Sequence, residues 1–334
     1  MNPNPIKLGT SKRKAIALTQ DALVRESLLR ADNRLPLLLE PAVEGVSLSQ
    51  WAGDKIDFIA EKLLSNGGIL FRGFKISRVE EFELFLKSLV VGDLFNYSYR
   101  STPRTKVSGH IYTSTEYPRH QMIQLHNEMS YSRNWPMVIA FCCLEAPSNG
   151  GETPIADSRK VFKAIESKVR DRFMEKGVMY VRNYGDALDL SWSDVFQTTV
   201  RAEVETYCRE AGIEFEWRGE NELRTRQVCQ AVATHPHTGE NVWFNQAHLF
   251  HVSSLEPEIS KSLMASAGEL PRNAYYGDGS PIEDNILEGI RSTYENETVV
   301  FSWRTNDVLV LDNMLTAHGR RPYKGARSIV VGMG

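Results

Sequence analysis

The 334-residue chain has no apolar run long enough to span a bilayer, no surplus of charge of either sign and only four cysteines. Each shortage removes a class of function. A membrane helix needs about 20 consecutive apolar residues. The basic cluster Lys12-Arg13-Lys14 is followed neither by such a run nor by the shorter apolar core of a secretory signal, so no membrane contact is expected and the cytoplasm is the expected compartment. A formal net charge of −3 argues against a dedicated nucleic-acid binder, which carries a strong basic surplus. Cys142, Cys143, Cys208 and Cys229 lack zinc-site spacing; the adjacent pair sits in an apolar run where strand alternation would turn the thiols to opposite faces, so reduced, packed residues are expected. Internal repeats, low-complexity tracts and Pro/Gly/Ser linkers are missing as well, which leaves a single domain over 1–334 as the simplest organisation.

What is present is ordinary globular material, 42% hydrophobic and 24% charged, enough for a sizeable core. Residues 1–110 read as a mixed lead-in, with helical patterns at Leu48 to Ser65 and Val79 to Leu89 flanking Gly67-Gly68-Ile69-Leu70-Phe71-Arg72-Gly73-Phe74, a glycine-bounded short strand. From Gln121 the pattern changes to apolar strands punctuated by turns, Gln121 to Tyr131 and Met137 to Leu144, then Pro147-Ser148-Asn149-Gly150-Gly151. Residues 158–222 turn charged and helical and read as an insertion. Strand signals return at Val228 to Ala233, Val242 to Asn245, Thr298 to Ser302, Val308 to Asp312 and Ser328 to Gly332. The expected fold is mainly β with helices (α+β): a double-stranded β-helix, or jelly roll, formed by 111–157 and 223–334, interrupted by the helical insertion.

The chemistry-bearing residues are split along the chain. In an extended strand His126 and Glu128, two apart, would share a face while Asn127 turns away. A second imidazole, His318, would complete a set of two nitrogens and one carboxylate, which suits Fe(II) and leaves positions for other ligands. Alone, each is as readily a hydrogen-bonded histidine or a surface carboxylate. Glu128 lies in an apolar stretch, however, and a buried carboxylate needs a cation or strong donors. Thr153, just beyond the Gly150-Gly151 turn, offers a hydroxyl. Arg327, nine residues after His318 and across a Pro322/Gly325 turn, offers the fork that anchors a carboxylate. An ordinary hairpin and a surface ion pair are the plainer alternatives.

Taken together, His126-x-Glu128, Gly150-Gly151-x-Thr153-x-x-x-Asp157 and His318-Gly319-Arg320-x-x-Tyr323-x-Gly325-x-Arg327 resemble the taurine dioxygenase and clavaminate synthase superfamily of Fe(II)/2-oxoglutarate oxygenases, from about Gly67 to the C-terminus. The resemblance implies that His126, Glu128 and His318 bind Fe(II), that Thr153 and Arg327 hold the distal carboxylate of 2-oxoglutarate, and that O2 is the second co-substrate. Glutamate in place of the commoner aspartate is similar to the clavaminate synthase branch, and a carboxylate here excludes the halogenating variant. Four further stretches, Ile111 to Pro118, Gly177 to Asn183, Tyr275 to Ile282 and Leu311 to Met314, resemble the SyrP-like branch associated with nonribosomal peptide assembly. That branch implies hydroxylation of an amino acid, aspartate at its β-carbon among the candidates, free or tethered to a carrier protein.

Substrate contacts are less defined. Gln124 shares the period-two face of His126; Arg100 and Arg104 precede a loop over the barrel mouth; and Asn245 follows Trp243-Phe244 in an aromatic strand. Each has an ordinary packing or solvated alternative. His235-x-His237 and His248-x-x-His251 lack a matching carboxylate and are read as structural. Arg320, Arg321 and Lys324 could receive an acidic carrier protein, with a solvated basic turn as the alternative. Desaturation or cyclisation by the same chemistry, and a non-catalytic jelly-roll binding protein, are the competing readings.

Overall fold

A computed structural model of the chain describes residues 23–76, 78–95, 99, 101–102, 104–185, 191–219, 221–267 and 270–334; Lys12-Arg13-Lys14 and Arg100 lie outside them. The strand Val308–Asp312 sits inside an eight-stranded sheet, between Gly68–Phe71 and Val138–Glu145, and all five of its residues are buried. A run of Val-Leu-Val-Leu suits that position because both faces are covered. Burying each such side chain contributes roughly 1.5–3 kcal/mol.

Alternation splits this sheet between two cores. Ile69, Phe71, Ala140, Cys142, Val308 and Val310 face the helices Leu48–Gly53, Ile56–Asn66 and Val79–Leu89. Leu70, Ile139, Phe141, Cys143, Leu309 and Leu311 face the barrel interior. Cys142 and Cys143 therefore do point to opposite faces, and burial pushes both thiols up to about 12. The outer helices present apolar residues at helical spacing, Ile59 with Leu63 and Phe82 with Phe85 and Leu86. The second helix ends at Gly67, in the left-handed region at φ +78°; its carbonyl accepts the Thr316 hydroxyl at 2.8 Å, which ties the helix end to the strand that carries His318.

The opposing wall is the three-stranded sheet Ile123–His126, Thr316–Arg320 and Ile155–Asp157. The two walls form the double-stranded β-helix. Gly319 lies where the strands nearly touch: a Cβ there would stand 2.5 Å from the Ile123 carbonyl oxygen. No helix among the described residues is long and apolar enough to cross a membrane.

Several boundaries move. The strand expected from Gln121 to Tyr131 is only Ile123–His126, and Thr298 to Ser302 forms an isolated bridge between Val299 and Ile155 rather than a strand. The segment 158–222 is not purely helical. It holds Ser158–Ala164, Ser167–Lys176, Trp192–Phe196 and Arg201–Ala211, but also the strands Val178–Tyr184 and Glu214–Arg218. These join Glu222–Cys229 and Arg272–Tyr276 in a four-stranded sheet. Val178–Tyr184 is almost wholly buried even at Arg182 and Asn183, so no apolar/polar alternation marks it as a strand.

Candidate active site

His318 and His126 are cross-strand partners in the three-stranded sheet, and their ring centroids lie 4.7 Å apart. Register alone brings together residues almost two hundred positions apart in sequence. Glu128 arrives differently from the expected alternation. The strand stops at His126, and Glu128 begins a turn in which Met129 has φ +55°. Asn313 holds that turn: its Oδ1 accepts the Glu128 N–H at 2.7 Å, and its Nδ2 donates to the carbonyls of Glu128 at 3.0 Å and Pro136 at 2.8 Å. Asn127, fully buried, donates to the Asn313 carbonyl at 2.6 Å and to Ser158 Oγ at 3.0 Å. Asn313 and Asn127 thus build the site without entering it. The sequence pattern missed the role of Asn313, although Leu311 to Met314 stood out as a family-like stretch.

The three side chains offer ligand atoms within 4.8 Å of one another. Each is chemically prepared for a cation. His126 Nδ1 bonds to the Gln124 carbonyl at 2.8 Å, so that nitrogen carries the proton and Nε2 is left as the lone-pair donor. Burial holds the His126 imidazole below its ordinary pKa, with Arg104 and Arg272 adding to the effect and Glu128 opposing it; burial holds His318 well below its own. Both rings are therefore neutral, the form that binds metal. His318 Nε2 stands 3.8 Å from Glu128 Oε2, too far for a hydrogen bond, with Phe141 against its ring at 5.1 Å. A divalent cation fits this donor set: two neutral imidazoles and a buried carboxylate. Arg104 Nη2 meets Glu128 Oε2 at 2.6 Å and balances part of that buried charge.

Thr153 and Arg327 line a pocket with His126, His318 and Ser114. Arg327 donates to the Gly151 carbonyl at 3.0 Å and to Ser114 Oγ at 3.2 Å. Among the described residues no carboxylate pairs with it, and burial, then the nearby Arg320, pulls its pKa down to about 10. A half-buried guanidinium with no carboxylate partner among the described residues matches a carboxylate ligand. Trp303 Nε1 donates to Thr153 Oγ1 at 3.1 Å, fixing the hydroxyl oxygen and leaving its proton for an acceptor. The pair thus fits the distal end of a dicarboxylate such as 2-oxoglutarate.

A second cavity, about 150 Å3, shares His126, Ile123 and Thr115 with the first, reaches Glu128 and is also lined by Gln124, Gln246, Phe250 and Arg272. Of the expected substrate contacts, Gln124 reaches this cavity and Arg104 touches Glu128, while Arg100 is outside the described residues. Asn245 does not reach it. Its side chain donates to the Ala231 carbonyl at 2.8 Å and accepts the Ala247 N–H at 3.0 Å, making it a turn brace, while the next residue, Gln246, lines the cavity. Arg320 is likewise no surface cation: buried, it donates to the carbonyls of Tyr117, Pro118 and Gln121 and fastens the 115–121 loop. His235 bonds Asp312 at 3.0 Å and His248 bonds the Leu125 carbonyl at 3.0 Å, both structural. Gln246 and Arg272 are cavity residues that no sequence motif marked.

The family model described as "Taurine catabolism dioxygenase TauD, TfdA family" matches residues 33–333. Dapdiamide synthesis protein DdaC of Enterobacter agglomerans is 41% identical over 277 residues, covering 82% of this chain and 84% of that protein. A clavaminate synthase-like protein of Arabidopsis thaliana is 28% identical over 304 residues, 88% of this chain and 89% of the relative. Among solved structures, PvcB of Pseudomonas aeruginosa superposes with a TM-score of 0.56 at 16% identity, over 95% of this chain and 93% of PvcB, a likeness of fold.

Proposed function

The chain belongs to the taurine catabolism dioxygenase TauD, TfdA family, and from that premise we propose that this Fe(II)/2-oxoglutarate-dependent dioxygenase hydroxylates an unactivated C–H bond of an amino acid in specialised-metabolite biosynthesis. The observation that carries the reading is the convergence of His126, Glu128 and His318 within 4.8 Å, beside a half-buried Arg327 that has no carboxylate partner among the described residues. The 41% identical relative named for dapdiamide synthesis supports the biosynthetic setting.

In this reading His126 through Nε2, His318 and one carboxylate oxygen of Glu128 hold the metal. Iron bound there supplies the coupling of O2 and 2-oxoglutarate decarboxylation to C–H oxidation, with succinate and CO2 as the other products. Arg327, Thr153 and Ser114 bind the distal carboxylate and so orient the co-substrate. Phe141 packs against the His318 ring and keeps water from that side of the site. The second cavity receives the substrate and positions one C–H bond, since a misplaced bond leads to unproductive turnover. The substrate is small enough for that cavity as an amino acid, either free or presented by a carrier protein. If a carrier docks, Arg321 and Lys324 remain for it, because Arg320 is committed to the 115–121 loop.

The test is succinate formation together with product mass, using Fe(II), 2-oxoglutarate, a panel of free amino acids and the same amino acids loaded on carrier proteins. A gain of one oxygen on any member supports the hydroxylase reading and assigns the free or tethered form. Loss of two hydrogens would replace it with desaturation or cyclisation, and absence of substrate-dependent succinate throughout would contradict the reading.

A further inference from the structure

Gln246, the residue after the turn brace Asn245, is held at three points. Its N–H donates to the Tyr180 hydroxyl at 2.7 Å, its carbonyl accepts the N–H groups of Leu249 and Phe250 at 3.0 Å, and its side-chain Nε2 donates to the Asn127 carbonyl at 2.8 Å. Gln246 is buried, and Asn127, which precedes the metal ligand Glu128, is fully so. Backbone and side chain are both fixed, and the side chain is fixed to the residue next to the metal set. A group held in this way is preorganised for whatever enters the cavity it lines.

The anchor sets the polarity of the amide. A primary amide has one donor end and one acceptor end. The Asn127 carbonyl only accepts, so the end that meets it is the nitrogen, and the end that remains, Oε1, is an acceptor with two lone pairs. Gln246 lines the cavity together with His126 and Glu128, which places this acceptor beside the proposed metal site. In a site largely closed to water, such an oxygen discriminates strongly between ligands that bring an N–H or O–H and ligands that bring neither. A free amino acid and a carrier-bound aminoacyl group share one strong donor, the ammonium, because a thioester link consumes the carboxylate and spares the amine.

We infer that Gln246, pinned through Nε2 to the Asn127 carbonyl, is a specificity-determining residue whose Oε1 receives the ammonium group of the substrate. The substrate class is therefore an amino acid, free or carrier-bound, whose amine is not acylated. This rests on the oxygenase reading and deepens it. It also orders the chemistry on either side of the enzyme: a reaction that acylates this nitrogen, peptide-bond formation included, follows the oxidation rather than preceding it.

The experiment measures substrate-dependent succinate formation by the full-length, Fe(II)-loaded protein with 2-oxoglutarate. Each amino acid that drives it, free or carrier-bound, is compared with the analogue carrying hydrogen in place of the amino group and the analogue carrying hydroxyl there. Wild type is expected to show a kcat/KM for the amine at least about tenfold above that for the hydrogen analogue, with the hydroxyl analogue, a neutral donor, between them. Gln246→Met is expected to bring the amine and the hydrogen analogue within about twofold of each other, whereas Gln246→Glu, which keeps an acceptor oxygen, retains the preference. The ratio is the readout because a loosened Asn127, and with it Glu128, lowers both kcat/KM values together. An unchanged ratio in Gln246→Met overturns the inference and reduces Gln246 to a brace for Asn127. A wild type that oxidises the hydrogen analogue as well as the amine also overturns it, with the oxygenase reading left intact. No substrate-dependent succinate from any amino acid, free or carrier-bound, contradicts the oxygenase reading itself and the inference with it.

Discussion

Asn313 grips Glu128 by both ends of its peptide: Oδ1 accepts the Glu128 N–H at 2.7 Å, and Nδ2 donates to the Glu128 carbonyl at 3.0 Å. A carboxylate placed by a turn rather than a strand gains its direction from such a clamp, which adds to the turn's own Ser130 N–H to Asn127 carbonyl and Ser132 N–H to Met129 carbonyl bonds. Replacing Asn313 by Ala removes the side-chain partner of three backbone groups, the Glu128 N–H and the carbonyls of Glu128 and Pro136, at about 1–3 kcal/mol for each left unsatisfied. The expected result is a tenfold or greater loss of Mn(II) affinity by calorimetry, with a lowered melting temperature. Unchanged affinity would show that the turn holds Glu128 without help.

Arg104 and Glu128 form a buried pair at 2.6 Å. Removing one partner of such a pair typically costs 3–5 kcal/mol, because the other charge is stranded. Arg104→Met is expected to melt earlier than wild type without metal, and to gain more melting temperature than wild type on adding Mn(II), since the ion then supplies the missing positive charge. Equal metal-induced shifts in the two proteins would contradict this.

Gly319 sits beside His318 with its missing Cβ 2.5 Å from the Ile123 carbonyl oxygen. Gly319→Ala must push the two metal-bearing strands apart. Overpacking of this kind costs about 1–3 kcal/mol, and metal affinity should fall with stability. The control is Gly239→Ala, at a turn where nothing lies near the added atom, although its φ of +69° exacts a local conformational cost. It should lower stability without weakening metal binding.

His248 is buried against Tyr294 and its pKa is lowered from 6.5 to about 3 by burial, so it stays neutral in the fold while the unfolded chain takes up a proton near 6.5. The unfolded state therefore binds more protons between those values, and stability falls as pH drops below 6.5. At pH 5 the effect is about 2 kcal/mol for this one group. Denaturant melts of wild type and His248→Gln across pH 5 to 8 should converge as pH falls, because the variant lacks that penalty. Parallel curves would remove His248 from the account.

How much of this was legible in the sequence differs residue by residue. Val308–Asp312 was read with its observed bounds, because an unbroken β-branched and leucine run flanked by turns has few alternatives. His126 and His318 were legible as a split motif, and the sheet register then placed them opposite one another. Glu128 was found for a reason that does not hold, since the strand ends before it. Asn245 was chosen where Gln246 faces the cavity; a one-residue shift along an extended segment exchanges the faces. Asn313 and Gln246 act through contacts between distant segments, which no local pattern encodes. The strands within 158–222 were hidden for a related reason: burial on both faces removes the alternation that marks a strand.

The central claim is that Fe(II) and 2-oxoglutarate meet on this constellation. The most direct measurement is anaerobic titration of the Fe(II)-loaded protein with 2-oxoglutarate, following the visible charge-transfer absorption of the chelated co-substrate. The account predicts a saturable band in wild type, no band in His126→Ala, and a band requiring at least tenfold more 2-oxoglutarate in Arg327→Met. No band in wild type, or a titration unaffected by Arg327→Met, would contradict it.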